Sequence, residues 1–120
     1  MKPISSFLFL PDVPDAPEMP VVSEIFKDSA IVTWQPPKSD GGAPIKGYHV
    51  EKSKDTSAKW VKVTKELVPE CTLPVKELLE GTTYQYRVIA VNEAGPSKPS
   101  KPSEPFVAKD PWGTLNLFLA

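Results

Sequence analysis

Leu-Leu-Glu-Gly-Thr-Thr-Tyr-Gln-Tyr-Arg-Val-Ile-Ala-Val-Asn-Glu-Ala-Gly, residues 78–95, is the stretch on which the fold turns. From Thr82 onward it has the two-residue period of a strand: Tyr84, Tyr86, Val88 and Ala90 fall on one face, Gln85, Arg87, Ile89 and Val91 on the other. Leu78 and Gly81 stand just before it, as a turn feeding a strand should. Tyr84, near the strand start, is placed for a tyrosine corner, with its ring buried and its hydroxyl bonded to backbone near Leu78. Asn92 to Gly95 supply a tight turn. The spacing predicts a central antiparallel strand over 82–93.

Downstream, residues 96–108 must supply its neighbour. Pro96-Ser97-Lys98, Pro99-Ser100-Lys101 and Pro102-Ser103-Glu104 form a short repeat closed by Pro105. Proline at every third position predicts a stretch part polyproline, part interrupted edge strand, with pairing resumed at Phe106–Ala108. A Pro-x-x-Pro run near a cation also has the form of an SH3-type ligand, but such ligands must be free, and a paired strand is not. Ser97, Ser100 and Ser103 are candidate phosphorylation positions on composition alone.

Upstream, strands are expected over Val21–Phe26, Ala30–Gln35, Ile45–Lys52, Trp60–Thr64 and Cys71–Val75. Ala30, Val32 and Trp34 share an inward face, as do Tyr48 and Val50. Cys71, Leu73 and Val75 share another. Pro74 is tolerable only if its strand lies at a sheet edge. Pro36-Pro37 closes the strand before it, and Asp40-Gly41-Gly42 forms a flexible loop. Seven short strands with turn signals about every ten residues indicate an all-β, immunoglobulin-like antiparallel sandwich. The expected core is Trp34, Tyr48, Val50, Trp60, Leu73, Leu78, Tyr84, Tyr86 and Val88.

The ends differ from this. Pro11, Pro14, Pro17 and Pro20 recur every third residue among the acids Asp12, Asp15 and Glu18, so residues 1–20 read as an arm and linker. The expected division is a disordered extension over 1–13, one domain over 14–110 and a tail over 111–120. The apolar Phe7–Leu10 is far shorter than the ~7–15 residues of a signal-peptide core. Trp112, Leu115, Leu117, Phe118 and Leu119 make the tail apolar enough that it either folds back on the domain, meets a neighbour or drives aggregation.

Composition narrows the function. Fourteen basic residues balance fifteen acidic ones, for a net charge of −1, so nothing marks nucleic acid or an anionic membrane as a partner. Fifteen prolines against six glycines exclude long helices over most of the chain. A single cysteine, Cys71, permits no intrachain disulfide and reads as a small buried hydrophobe. His49, the sole histidine, has opposite parity to Tyr48 and Val50 and is expected to face solvent. It has no second histidine or cysteine pair with which to bind metal. No nucleophile elbow, phosphate loop or zincin motif occurs. The expectation is a protein that is not an enzyme and carries no cofactor or metal. Arg87, Ile89 and Val91, on the outward face of the central strand, are the candidate protein contact.

Taken in order, several segments resemble the fibronectin type III family: Trp34-Gln35-Pro36-Pro37, Asp40 through Ile45, Gly47-Tyr48-His49-Val50-Glu51, Trp60, Leu78 through Tyr84, Tyr86-Arg87-Val88, Ala90-Val91-Asn92 and Gly95-Pro96-Ser97. The likeness covers roughly residues 14–110. The Gly-Gly-Ala-Pro-Ile loop, the Tyr-x-Val-Glu-Lys strand and Val107 through Pro111 resemble modules of giant sarcomeric proteins of the titin and twitchin type. That resemblance implies a muscle protein of the cytoplasm and sarcomere, with such domains in tandem. The implied partners are neighbouring immunoglobulin and fibronectin type III modules and thick-filament proteins such as myosin. Glu80 departs from the family's frequent proline before the corner glycine, which predicts a looser turn. The absence of Arg-Gly-Asp from Asn92–Gly95, and of any Asn-x-Ser/Thr sequon, counts against the alternative of an extracellular receptor or adhesion module. Met1–Leu10 and Gly113–Ala120 resemble neither a preceding nor a following module, so one module with unrelated ends is expected.

Overall fold

In a computed structural model describing residues 10–112, every regular element is a strand. They are β1 (Val21–Ser23), β2 (Ala30–Thr33), β3 (Gly47–Lys54), β4 (Val61–Lys62), β5 (Thr72–Val75), β6 (Thr83–Asn92), β7 (Gly95–Pro96) and β8 (Phe106–Val107). β7 and β8 are two ends of one irregular strand, both antiparallel to β6. With these counted together, the seven strands of an immunoglobulin-like sandwich are present. One sheet has the order β1-β2-β5, and the other β4-β3-β6 with β7 and β8 beyond β6.

β6 is central, as its period-two pattern requires. Its residues alternate half-buried and buried from Thr83 to Asn92 without a break. β3 pairs along it over eight residues, from Gly47 opposite Val91 to Lys54 opposite Tyr84. Ala30, Val32 and Trp34 enter the core from one sheet, and Tyr48, Val50, Tyr84, Tyr86, Val88 and Ala90 from the other. Trp34 is 4% exposed and meets Tyr48 edge-on, with ring centroids 5.5 Å apart. This is a favoured quadrupolar geometry for an aromatic pair. The Trp34 amide donates to the Cys71 carbonyl at 3.0 Å, so pairing with the β5 side continues one residue past β2. Cys71 is only half-buried, packed against the core rather than within it. β5 lies at a sheet edge, where Pro74 leaves no ladder donor missing.

Burial raises the Tyr86 hydroxyl pKa above its ordinary 10, with the Tyr84 hydroxyl adding to the effect. It raises that of Tyr48 likewise, helped by the Cys71 side chain. The folded state therefore holds these protons to higher pH than the unfolded chain does. Their contribution to stability is complete below pH 10 and is lost as pH rises beyond it. Urea midpoints should accordingly be flat on approaching pH 10 and fall above it, and Tyr86→Phe should reduce that fall.

The corner before β6 closes as expected, displaced by one residue. The Leu79 amide donates to the Tyr84 hydroxyl at 2.9 Å. Leu78 is buried beside it. The Thr82 amide donates to the Leu79 carbonyl at 3.1 Å, with Gly81 at φ +85°. This is the type II arrangement, with Glu80 in the position that favours proline. A closed turn, rather than a looser one, is the finding. Glu80→Pro should stabilise the domain by about 0.4–1 kcal/mol by restricting the unfolded chain, read as a higher urea midpoint at unchanged slope.

β1 stops at Ser23 rather than Phe26 because Glu24 turns to φ +48°. The Phe26 amide then donates to Ser29 at 2.8 Å, closing the turn. The amino-terminal arm departs further from expectation. Pro14, Pro17 and Pro20 are buried, so their three-residue spacing presents one side of an extended segment to the domain. The Asp12 amide donates to Gly41 at 2.8 Å and that of Asp15 to Ser39 at 3.0 Å. Gly41 is required there: a Cβ would lie 2.2 Å from the Asp12 carbonyl oxygen. Asn92, 2% exposed, donates to the carbonyls of both Asp12 and Asp40 at 2.7 Å. Its Oδ1 accepts from the amides of Ala94 and Gly95. The segment expected to be an extension up to residue 13 is thus docked from Asp12. The part of that expectation falling on 1–9 lies outside the described residues. At the other end, Trp112 lies 5.2 Å from the Phe26 ring and Asp110 accepts from the Lys27 amide. The expectations for Leu115, Leu117, Phe118 and Leu119 lie outside the described residues.

The proline repeat is the main departure. It pairs with β6 throughout, through its serines. The amides of Ser97, Ser100 and Ser103 donate to the carbonyls of Ala90, Val88 and Tyr86 at 2.7–2.8 Å. Each serine hydroxyl in turn accepts from the amide of that same β6 residue, at 2.9–3.0 Å. From Pro96 opposite Val91 to Val107 opposite Thr83, eleven steps lie alongside eight. One extra residue per Pro-Ser-x triplet is taken up as a bulge. Straight polyproline cannot do this, since three of its residues advance about 9 Å against about 7 Å for two strand residues. The three serines are buried, at 7, 4 and 2% exposure. Neither an SH3-type groove nor a kinase can reach them while this pairing holds.

Candidate binding surface

The outer face of the β4-β3-β6 sheet sets its residues in cross-strand register: Arg87 opposite Glu51, Ile89 opposite His49 and Val91 opposite Gly47. Arg87, Ile89 and Val91 therefore share one face, and each is half-buried. Arg87 is the hub. Its Nε donates to Glu51 Oε1 at 2.7 Å, and its guanidinium lies 4.4 Å over the Trp60 ring. The carboxylate fixes one edge of the guanidinium plane and the indole covers its face, leaving the group held in one orientation.

Trp60 corrects the expected core. It is half-exposed on this outer face and absent from the buried cluster. Its strand has only two residues, Val61 and Lys62, and Lys62 pairs with Glu51 on the outer side. Trp60, two residues earlier, follows the parity of Lys62 and meets Arg87. Leu73 is half-buried against the core, whereas Trp34, Tyr48, Val50, Leu78, Tyr84, Tyr86 and Val88 lie within it.

His49 is not simply solvent-facing. It is half-buried, with Nδ1 2.9 Å from the hydroxyl of Thr64. That hydroxyl also accepts from the Val50 amide. Burial, then the charge of Lys62, lower the His49 pKa, while Glu51 opposes them. That direction favours the neutral ring beside the Thr64 hydroxyl. Thr64 gave no sign of this in the sequence, because its partners lie about fifteen residues away. Among the described residues, no three of His, Cys, Asp and Glu gather to hold a metal ion.

A two-sheet β-sandwich with a tyrosine corner, a central tryptophan and a bulged last strand defines a class of protein module. Residues 15–106 match the fibronectin type III domain family, and the chain belongs to it. It is 46% identical over 96 residues to human slow-type myosin-binding protein C, covering 80% of this chain and 8% of that protein. With the chicken cardiac type the identity is 44% over the same length. Consecutive domains of titin in a crystal structure superpose with a TM-score of 0.78 at 45% identity, over 83% of this chain and 34% of that one. A titin module from human cardiac muscle gives 0.73 at 33%, over 82% and 95%. The chain thus spans under a tenth of the length of these two myosin-binding protein C relatives.

Proposed function

We propose that this chain is a non-catalytic spacer and docking module of a sarcomeric muscle protein, working in the cytoplasm within a tandem array. The relationship to myosin-binding protein C and titin at above 40% identity is the observation that carries this reading. The geometry supports it. The chain enters beside Asn92 and leaves beside Thr82, where the amides of Gly81 and Ala108 hold the last strand. These are opposite ends of the ten-residue β6, so the module spans about 33 Å between attachments. Tension between the ends would act first on the terminal strands, loading lengthwise the ladder of β1 on β2 and that of β7 and β8 on β6.

The docking role falls to the Trp60–Arg87 face, with Ile89 and Val91 beside it. Tryptophan and arginine are over-represented among residues that dominate binding, and a guanidinium already held in place loses little freedom on contact. The partner is a thick-filament protein, myosin first, with immunoglobulin and fibronectin type III modules as neighbours at either end. The 120-residue chain should cosediment with myosin filaments, and Arg87→Ala should weaken this at least tenfold, about 1.4 kcal/mol. Undiminished cosedimentation by a folded Arg87→Ala variant would remove Arg87 from the contact. No cosedimentation at all would remove myosin as the partner.

A further inference from the structure

A second surface lies on the opposite side of β3, where the sandwich is open between β4 and β5. Two clefts of about 580 and 250 Å³ meet there, sharing Lys52 and Glu77 in their walls. Four lysines line them, Lys52, Lys54, Lys59 and Lys76, against the single carboxylate of Glu77. This gathers positive charge on a chain whose net charge is −1. The floor is apolar. Val61 and Leu79 are 51% and 59% exposed within it, and the Lys52 ammonium lies over the ring of Tyr84, 5.6 Å from its centroid. The Trp60–Arg87 face uses none of these lysines.

We propose that this trough binds an acidic, extended segment of a partner protein, one in which aliphatic residues alternate with aspartate or glutamate. Charge complementarity selects the sign. Lysines distributed along the walls match carboxylates spaced along a chain, whereas a single phosphate calls for groups converging on one point. The exposed Val61 and Leu79 provide contacts that a purely ionic ligand would leave unused. A flat anionic membrane cannot enter a concave trough. The acidic arm of a second copy is also excluded, since its prolines and Asp12 are already docked on its own domain.

The test is fluorescence anisotropy of the 120-residue chain with a labelled peptide of alternating Glu and Leu, about twelve residues long, enough to span some 40 Å when extended. The same peptide with Lys for Glu and vesicles containing phosphatidylserine are the comparison arms. The acidic peptide should bind and weaken with added salt, and neither comparison probe should. The combined Lys52→Gln, Lys54→Gln and Lys59→Gln variant should bind it at least tenfold more weakly, and Arg87→Ala should bind it as the parent does. Leu79→Glu, at an exposed position, gives a second reading independent of Lys52 packing and should also weaken binding at least tenfold. Absent binding, equal binding of the lysine peptide, vesicle binding abolished by the triple substitution, or full affinity in both trough variants would each overturn the proposal.

Discussion

Trp34→Ala should cost about 3–5 kcal/mol of folding stability, most of what a domain of this size commonly possesses. The indole is 4% exposed, meets Tyr48 edge-on and sits between the two sheets. One detail sharpens the test: its Nε1–H finds no acceptor among the described residues. A buried donor without a partner is itself a cost. Trp34→Phe should therefore be far milder than alanine, since it keeps an aromatic ring against Tyr48 and removes the unpaired group. Urea titrations of the three proteins at one pH would decide it. Alanine and phenylalanine variants of equal stability would mean that Trp34 does not hold the sheets apart.

Replacing Ser97, Ser100 and Ser103 together with alanine should be at least as damaging. Each change leaves a buried β6 amide, that of Ala90, Val88 or Tyr86, without its acceptor. An unsatisfied buried donor costs about 1–3 kcal/mol, so three of them rival or exceed the loss of Trp34. Single substitutions should each fall within that range. Hydrogen exchange gives a local reading: in Ser100→Ala the Val88 amide should lose about tenfold or more of its protection, while amides on the β3 side of β6 change less. A triple variant as stable as the parent would show that the hydroxyls only fill space. The same burial predicts that kinases modify these serines only after the strand has left β6.

Much of the fold could be read from local pattern. Strand parity over 84–90 placed Tyr84, Tyr86, Val88 and Ala90 inward, and the corner tyrosine found backbone one residue from where it was sought. Pro74 required an edge and occupies one. The candidate surface was only partly legible. Arg87, Ile89 and Val91 share a face, as alternation demands, but nothing near Arg87 in the chain announces Glu51 or Trp60. Trp60 was misplaced because a large aromatic residue near a strand start is usually core. Here the strand is so short that one step of register moved the ring outside.

What this chain determined by itself was the periodic part: which side chains turn inward, where turns fall, and that its two sheets close on an indole and a set of phenols. Side-chain alternation is a property of consecutive residues, so it is written locally. The tertiary structure decided what depends on distant partners. It converted a proline-serine repeat into a bulged ladder, docked an acidic arm through Asn92, and set lysines from β3 and the loops around it along one trough. Hydrogen-bond acceptors and charges act over a few ångströms of space regardless of chain separation. Only the folded arrangement brings Ser100 to Val88, or Asp12 to Asn92.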